Sequence, residues 1–279
     1  MAGESTYNTI STLVGNILEG ALLTASENSV MQPLVRNFTD QTGLQPRVFS
    51  SYTGGTIVSL AEISDLSSQT FTPAASGTIT PGIWAQQYYV TDARINSDFN
   101  AVQRDASADL GRVFGVKVDT ALVALFSSLT GGTVGTAGGT LTWANIQRAA
   151  AYLRANYAPG NYIAVLRPEH WYYLTSASSG VPTLMQSPAW QDSLAANFYQ
   201  ASWGGIDFFV DGNITSGTAA VAAMFHPDAI GFDLRKPFGI EVQRDASRGG
   251  GGWELNATQW FGAGVYRPTF GVQMIGTSS

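Results

Sequence analysis

Residues 97–129 read SDFNAVQRDASADLGRVFGVKVDTALVALFSSL, with apolar side chains at Val102, Ala106, Leu110, Phe114, Val118, Leu122, Leu125 and Leu129. Steps of three and four keep these on one stripe of an α-helix. Asn96, Ser97 and Asp98 offer oxygens to the free N–H groups of a first turn, and Thr130-Gly131-Gly132 supplies glycine for a left-handed end. At about 1.5 Å per residue the rod is roughly 50 Å long, more than a compact domain needs, so it is expected to brace something larger than its own core. Gly111 and Gly115 share a face on which another backbone can come close. Arg104, Asp105, Asp109, Arg112, Lys117 and Asp119 lie mostly off the stripe. They read either as a solvated face with ordinary ion pairs or, for some of them, as contacts to a neighbouring subunit. On the second reading Arg104, Arg112, Gly111 and Gly115 are the candidate contacts.

Towards the N-terminus, Ile10, Leu13, Val14, Ile17, Leu18, Ala21 and Leu22 predict an amphipathic helix within Thr6–Asn28, an arm packed on something else. A short helix is expected after Pro33, where proline fits a first turn. Arg47–Glu62 and Tyr88–Ile95 read as extended runs around DLSSQTFTPAASGTITPGIW, residues 65–84. Such a long hairpin or loop has too little apolar content for a core, and its unpaired edges need a partner surface. Leu66, Phe71, Pro73, Ile79, Pro81 and Trp84 are the contacts it would offer. Removing Asp65–Pro81 is expected to leave a subunit that folds but no longer assembles.

On the other side, Thr142 is placed to cap a helix over Trp143–Asn156 with Ile146, Ala149, Ala150 and Leu153 inward, stopped by Pro159-Gly160. Tyr162–Leu166 reads as a short buried strand, and Pro168 begins a further helical turn. Ser187-Pro188 opens a helix running through Gln200, and Ile206–Val210 and Ala219–Phe225 read as strands. Residues 141–232 thus form an α/β or α+β unit. The tail returns to β-structure in GIEVQRDA, a turn at SRGGGG, WELNATQWFGAGVY and TFGVQMI.

The 279 residues are 44% hydrophobic and only 12% charged, about half the charge of an average soluble chain. A surface so poor in charge is expected to be covered, most economically by other copies of the chain. A net charge of -6 argues against a general nucleic-acid-binding face. Absence of cysteine excludes disulfides and thiolate metal sites, and no apolar run reaches the ~20 residues of a membrane span. No dinucleotide fingerprint, phosphate-cradling loop or G-x-S-x-G elbow is present. His170 and His226 lack a second histidine at metal-ligand spacing. Glu169-His170 could in principle pair a base with its orienter, but a lone histidine among Trp and Tyr more often packs in a core. Neither a catalytic residue, a metal nor a cofactor is expected.

An N-terminal arm, an extended loop, a long spine helix, an inserted α/β module and a returning β tail resemble, in this order, the major capsid protein of tailed bacteriophages, the Johnson fold that encapsulins share. The resemblance rests on the run TFTPAASGTITPGIWAQQYYVTDARI into the spine, on NIQRAAAYLRANYAPGNYIAVLRPEHWYYLTS, and on the ending from AAMFHPDAIGFDLRK onward. It implies an α+β fold with an arm at 1–49, a loop at 50–95 lying over a neighbour, and a peripheral domain formed by the spine at 96–140 and the tail at 233–279. Residues 141–232 would be the axial domain. It also implies hexamers and pentamers of one chain closing an icosahedral virion shell, assembled in the host cytoplasm around double-stranded DNA held without sequence specificity. Scaffolding, portal or decoration proteins are allowed as further partners, and a membrane is not. With two lysines, covalent cross-linking is not expected. The alternatives are an encapsulin-type compartment and, from another class, a small enzyme using Glu169-His170.

Overall fold

The computed structural model describes residues 16–24, 29–51, 57, 59, 65, 74–97, 99–176, 199–245, 247 and 251–278. Within them the expected mixture of helix and strand is found. A first helix α1 at 16–24 buries Ile17 and Ala21. Pro33 lies in a 3-10 turn, Gln32–Leu34, and leads into strand β1, Arg36–Phe38. Strands β2 (Arg47–Ser51) and β3 (Ala74–Ile79) pair antiparallel from Arg47 opposite Ile79 to Ser51 opposite Ala74. They are the base of the expected hairpin; Leu66, Phe71 and Pro73 lie outside the described residues.

Strand β4 runs Gly82–Thr91 and alternates half-buried with exposed side chains, as a strand with one wet face must. Asp92–Ile95, expected as the end of a strand, instead open helix α2, Asp92–Ser97, where an acidic first residue suits the positive end of the helix. The spine follows as α3, Phe99–Val123, closed by a 3-10 turn at Ala124–Ser128 with Leu129 as its cap. The contact line along it is Leu110, Phe114, Val118, Leu122 and Phe126, all at most 5% exposed, whereas Leu125 is only half-buried. Strict steps of four advance about 40° per step around a 3.6-residue helix. The buried face therefore winds, and the two ends of one rod serve different cores.

Leu110 and Phe114 pack with Ile17, Ala21, Leu255 and Ala257 on a four-stranded sheet. Val118, Leu122, Phe126 and Leu129 enter the main core, which extends through a six-stranded sheet. The first sheet is ordered β1-β10-β11-β4, where β10 is Ile230–Asp245 and β11 is Gly252–Val265. The second is ordered β5-β12-β9-β6-β8-β7: β5 is Thr133–Gly135, β6 Tyr162–Leu166, β7 Tyr199–Trp203, β8 Ile206–Val210, β9 Ala220–Phe225 and β12 Gly271–Gly276.

Helix α4, Trp143–Ala155, is capped by Thr142 and buries Trp143, Ile146, Ala149, Ala150 and Leu153, as its sequence predicts. All five residues of β6 are buried, because β8 and β9 flank it and both its faces are covered. Helix α5 is Pro168–Thr175. Two further expectations change. Tyr199 and Gln200, read as a helix end, belong to β7, which pairs with β8 across a Gly204-Gly205 turn; the rest of that helix lies outside the described residues. The last strand, β12, leaves the other tail strands and joins β9 and β5 in the six-stranded sheet.

Candidate assembly surfaces

The hairpin base is anchored by a knob and a seat. Ile79 is fully buried, and a Cβ added to Gly231, Gly262 or Gly264 would stand 2.9, 2.8 or 2.7 Å from it. Only a bare backbone on β10 and β11 lets this side chain in. Pro81, also buried, lies 3.0 Å from where a Cβ of Gly262 would be. Both residues were candidate contacts to a neighbour, but they are core of their own subunit. A deletion from Asp65 to Pro81 would therefore remove core together with loop, so a foldable product is not expected.

A buried ion cluster fixes the same base from the other strand. Arg47 Nε donates to Asp233 at 2.9 Å and its Nη2 to Asp40 at 2.6 Å. Arg235, two residues along β10, donates to Asp233 at 2.7 Å and to the Gln45 carbonyl at 3.1 Å. Asp233 is completely buried, so each partner depends on the others for its charge to be tolerated there.

Trp84 lies half-buried on β4, its ring stacked on Phe261 at 5.6 Å and its Nε1 donating to the Phe261 carbonyl at 3.3 Å. The Lys117 ammonium sits 3.9 Å from the ring centroid, so the pair clasps the spine to the sheet. Trp84 and Arg112 line the same open groove of about 390 Å³ beside Val113 and Val116. Arg112 is exposed and pairs with Asp109 at 2.8 Å, while Asp109 also accepts from the Tyr88 hydroxyl. The Tyr88 hydrogen bond, followed by Arg112, holds the Asp109 carboxyl below its ordinary range. Burial, helped by Asp109, pushes Tyr88 up to about 12. Arg104 is on α3, with its side chain outside the description.

Gly111 and Gly115 are both buried, and Gly115 lines a cavity of about 240 Å³ between α1, the spine and β10. A close approach to the spine within the chain is made at Gly20, where a Cβ would lie 2.9 Å from Ser107 Cβ. Asp119, expected on a wet face, is buried. It accepts from Ser29 Oγ at 2.9 Å and from the Val30 and Met31 N–H groups at 2.7 and 3.1 Å, tying the arm to the spine. Burial pushes its carboxyl up to about 6 against those hydrogen bonds, and the nearby Asp211 charge adds to the rise. No hydropathy pattern marks this residue, because its partners are backbone groups some 90 positions away.

Glu169 pairs with Arg167 at 2.7 Å, while His170 is fully buried, lowered by burial, and packed against Gly276. A side chain with no exposed surface meets no substrate. His226 Nδ1 accepts from the Asp228 N–H at 3.2 Å and caps a turn. Asp207 and Asp211 stand at opposite ends of β8, about 13 Å apart at strand rise, too far for shared acid–base work.

A sequence model of a family described as phage capsid protein matches residues 75–274. Among solved structures, one from Mycobacterium phage Che8 superposes with a TM-score of 0.69 at 16% identity, covering 88% of this chain and 90% of that one. The capsid of cyanophage P-SCSP1u gives 0.66 at 13% identity, covering 90% and 89%. A virus-like particle from Pyrococcus furiosus gives 0.58 at 12% identity, covering 93% and 98%. No curated protein matches the chain.

Proposed function

Because this chain belongs to the phage capsid protein family, we propose that it builds the virion shell as rings of identical subunits, hexamers and pentamers, joined head to tail into an icosahedral container for double-stranded DNA. It is a structural protein and not an enzyme. The observation that carries the reading is the family match over residues 75–274, which takes in the spine, nearly all of the six-stranded sheet, strands β4, β10 and β11 of the other sheet and the return strand of the hairpin. Physical support comes from the 12% charge content, low for a surface meant to face water alone. Closed rings follow when one subunit offers two different, complementary faces related by rotation.

In this reading the stretch at 50–95 reaches over a neighbour from a base fixed by Ile79 and Asp233, with Leu66, Phe71, Pro73, Trp84, Arg104 and Arg112 as contacts. The spine and the four-stranded sheet form a peripheral domain, and residues around 141–232 an axial one. Scaffolding, portal or decoration proteins would join the shell from outside this chain, and assembly would take place in the host cytoplasm. The Pyrococcus furiosus virus-like particle shares the fold, and the resemblance to encapsulins gives the second reading, a shell that holds protein cargo. Purifying particles and asking whether nucleic acid or a second polypeptide travels with them separates the two: nucleic acid upholds the viral container, and protein cargo alone overturns it.

A further inference from the structure

One end of the six-stranded module carries an aromatic side chain that its own subunit leaves exposed. After α4, Ala158 N–H donates to the Leu153 carbonyl at 3.0 Å, closing the helix through Tyr157 in the left-handed region at φ 58°. Glycine is the usual residue there, and a bulky side chain is disfavoured. Tyr157 is nevertheless 90% exposed, so no packing within the subunit offsets that cost. Arg154, one turn earlier, is exposed, and its guanidinium has no hydrogen-bond or ion-pair partner among the described residues.

A second turn shares this end. Tyr162 N–H donates to the Gly205 carbonyl at 3.1 Å, which ties the loop after α4 to the Gly204-Gly205 turn. Both glycines have positive φ, 61° and 80°, and a Cβ on either would meet only open space. Asp207 follows at the start of β8, half-buried, its carboxylate without a hydrogen-bond or ion-pair partner among the described residues. The opposite end of the module is occupied: Asn213–Ala219, beyond the end of β8, line a groove with Thr120, Val123 and Ser127 of the spine segment. The two turns stand at the other end of the sheet, where β6 and β8 begin and where Asn156 Nδ2 donates to the Gly131 carbonyl at 2.8 Å. They also lie on different flanks, since α4 packs over β12, β5 and β9 while β8 and β7 form the other side of the sheet.

Building on the head-to-tail reading above, we propose that the Arg154–Tyr157 flank of one copy docks on the Gly204–Asp207 flank of the next. A rotational ring needs two unlike surfaces at one height on opposite sides of the subunit, which the two flanks at this end of the sheet provide. The bare glycine turn admits the Tyr157 ring, a side chain typical of interface anchors. Arg154 and Asp207 then meet with opposite charge, which sets register and excludes the reversed arrangement.

Arg154→Glu, Asp207→Arg and the double variant test this by sedimentation velocity and negative-stain microscopy beside the wild type. Each single change is expected to lower the assembled fraction about tenfold or more, because like charges then face each other. The double variant restores assembly. Mixing the two single variants restores six-membered rings alone, since an odd ring cannot alternate two kinds of subunit. Tyr157→Gly suits the backbone, so its thermal unfolding stays at or above that of the wild type while assembly falls. Single variants that assemble like the wild type, or a double variant and a mixture that both fail while unfolding normally, would overturn the contact. A wild-type chain that forms no particle would instead overturn the ring reading beneath it.

Discussion

Ile79 is seated against the backbone of Gly264: a Cβ there would lie 2.7 Å from its Cγ1, inside any permitted contact. The hairpin is thus clamped to the last long strand by the absence of a side chain. Gly264→Ala should lower the unfolding free energy of the unassembled subunit by about 1–3 kcal/mol through overpacking. Ile79→Ala should lower it by about 2–5 kcal/mol through the cavity left behind. In the double variant the new methyl has room, so the combined loss is less than the sum. Denaturant unfolding of the three proteins checks this, and strictly additive losses would contradict it.

Asp233 compensates two arginines at once. Asp233→Ala strands Arg47 and Arg235 with no carboxylate at 2.9 and 2.7 Å, and is expected to cost about 3–5 kcal/mol. Hydrogen exchange should show the amides of β2 losing protection ahead of those of β6. Equal loss in both strands would mean that the cluster does not hold the hairpin base.

Two buried groups give the subunit opposite pH dependences. Asp119 has its carboxyl raised from 3.8 to about 6, so its contribution is present below 3.8 and is lost as the pH rises through about 6. The change amounts to at most about 3 kcal/mol at 1.36 kcal/mol per unit. His170 is lowered from 6.5 by burial, so its contribution is present above 6.5 and is lost as the pH falls through the folded value. Unfolding measured from pH 4 to 8 should show Asp119→Asn gaining on the wild type as the pH rises, and His170→Gln gaining on it as the pH falls. Parallel curves would show that neither group titrates in the folded subunit.

The arm meets the spine at Gly20, where a Cβ would come within 2.9 Å of Ser107 Cβ. Gly20→Ala should therefore loosen α1, and Ser107→Gly in the same chain should restore it. Protease digestion reads this directly: faster cleavage within 16–24 in the first variant and wild-type cleavage in the second. Unchanged cleavage in Gly20→Ala would show that the contact has slack.

Patterns of period 3.6 and two carried most of the fold. Thr142 and the inward residues of α4 were legible because their partners are local, and the all-apolar run Tyr162–Leu166 because both its faces are covered. The spine was legible in extent, but its winding contact line put Phe126 in the core ahead of Leu125. What escaped were pairings between distant positions. Ile79 and Pro81 look like loop residues until Gly262 and Gly264 are laid beside them, and Asp119 looks solvated until residues 29–31 close over it. Position in a string holds no sign of a missing Cβ that another strand will use.

Cryo-electron microscopy of the purified chain across rising concentration tests the central claim most directly. Closed particles with five-fold and six-fold rings of single subunits are predicted, with Tyr157 at the contact between neighbouring copies in each ring. A population of isolated subunits at every concentration, or closed particles whose rings meet through another part of the chain, would contradict it.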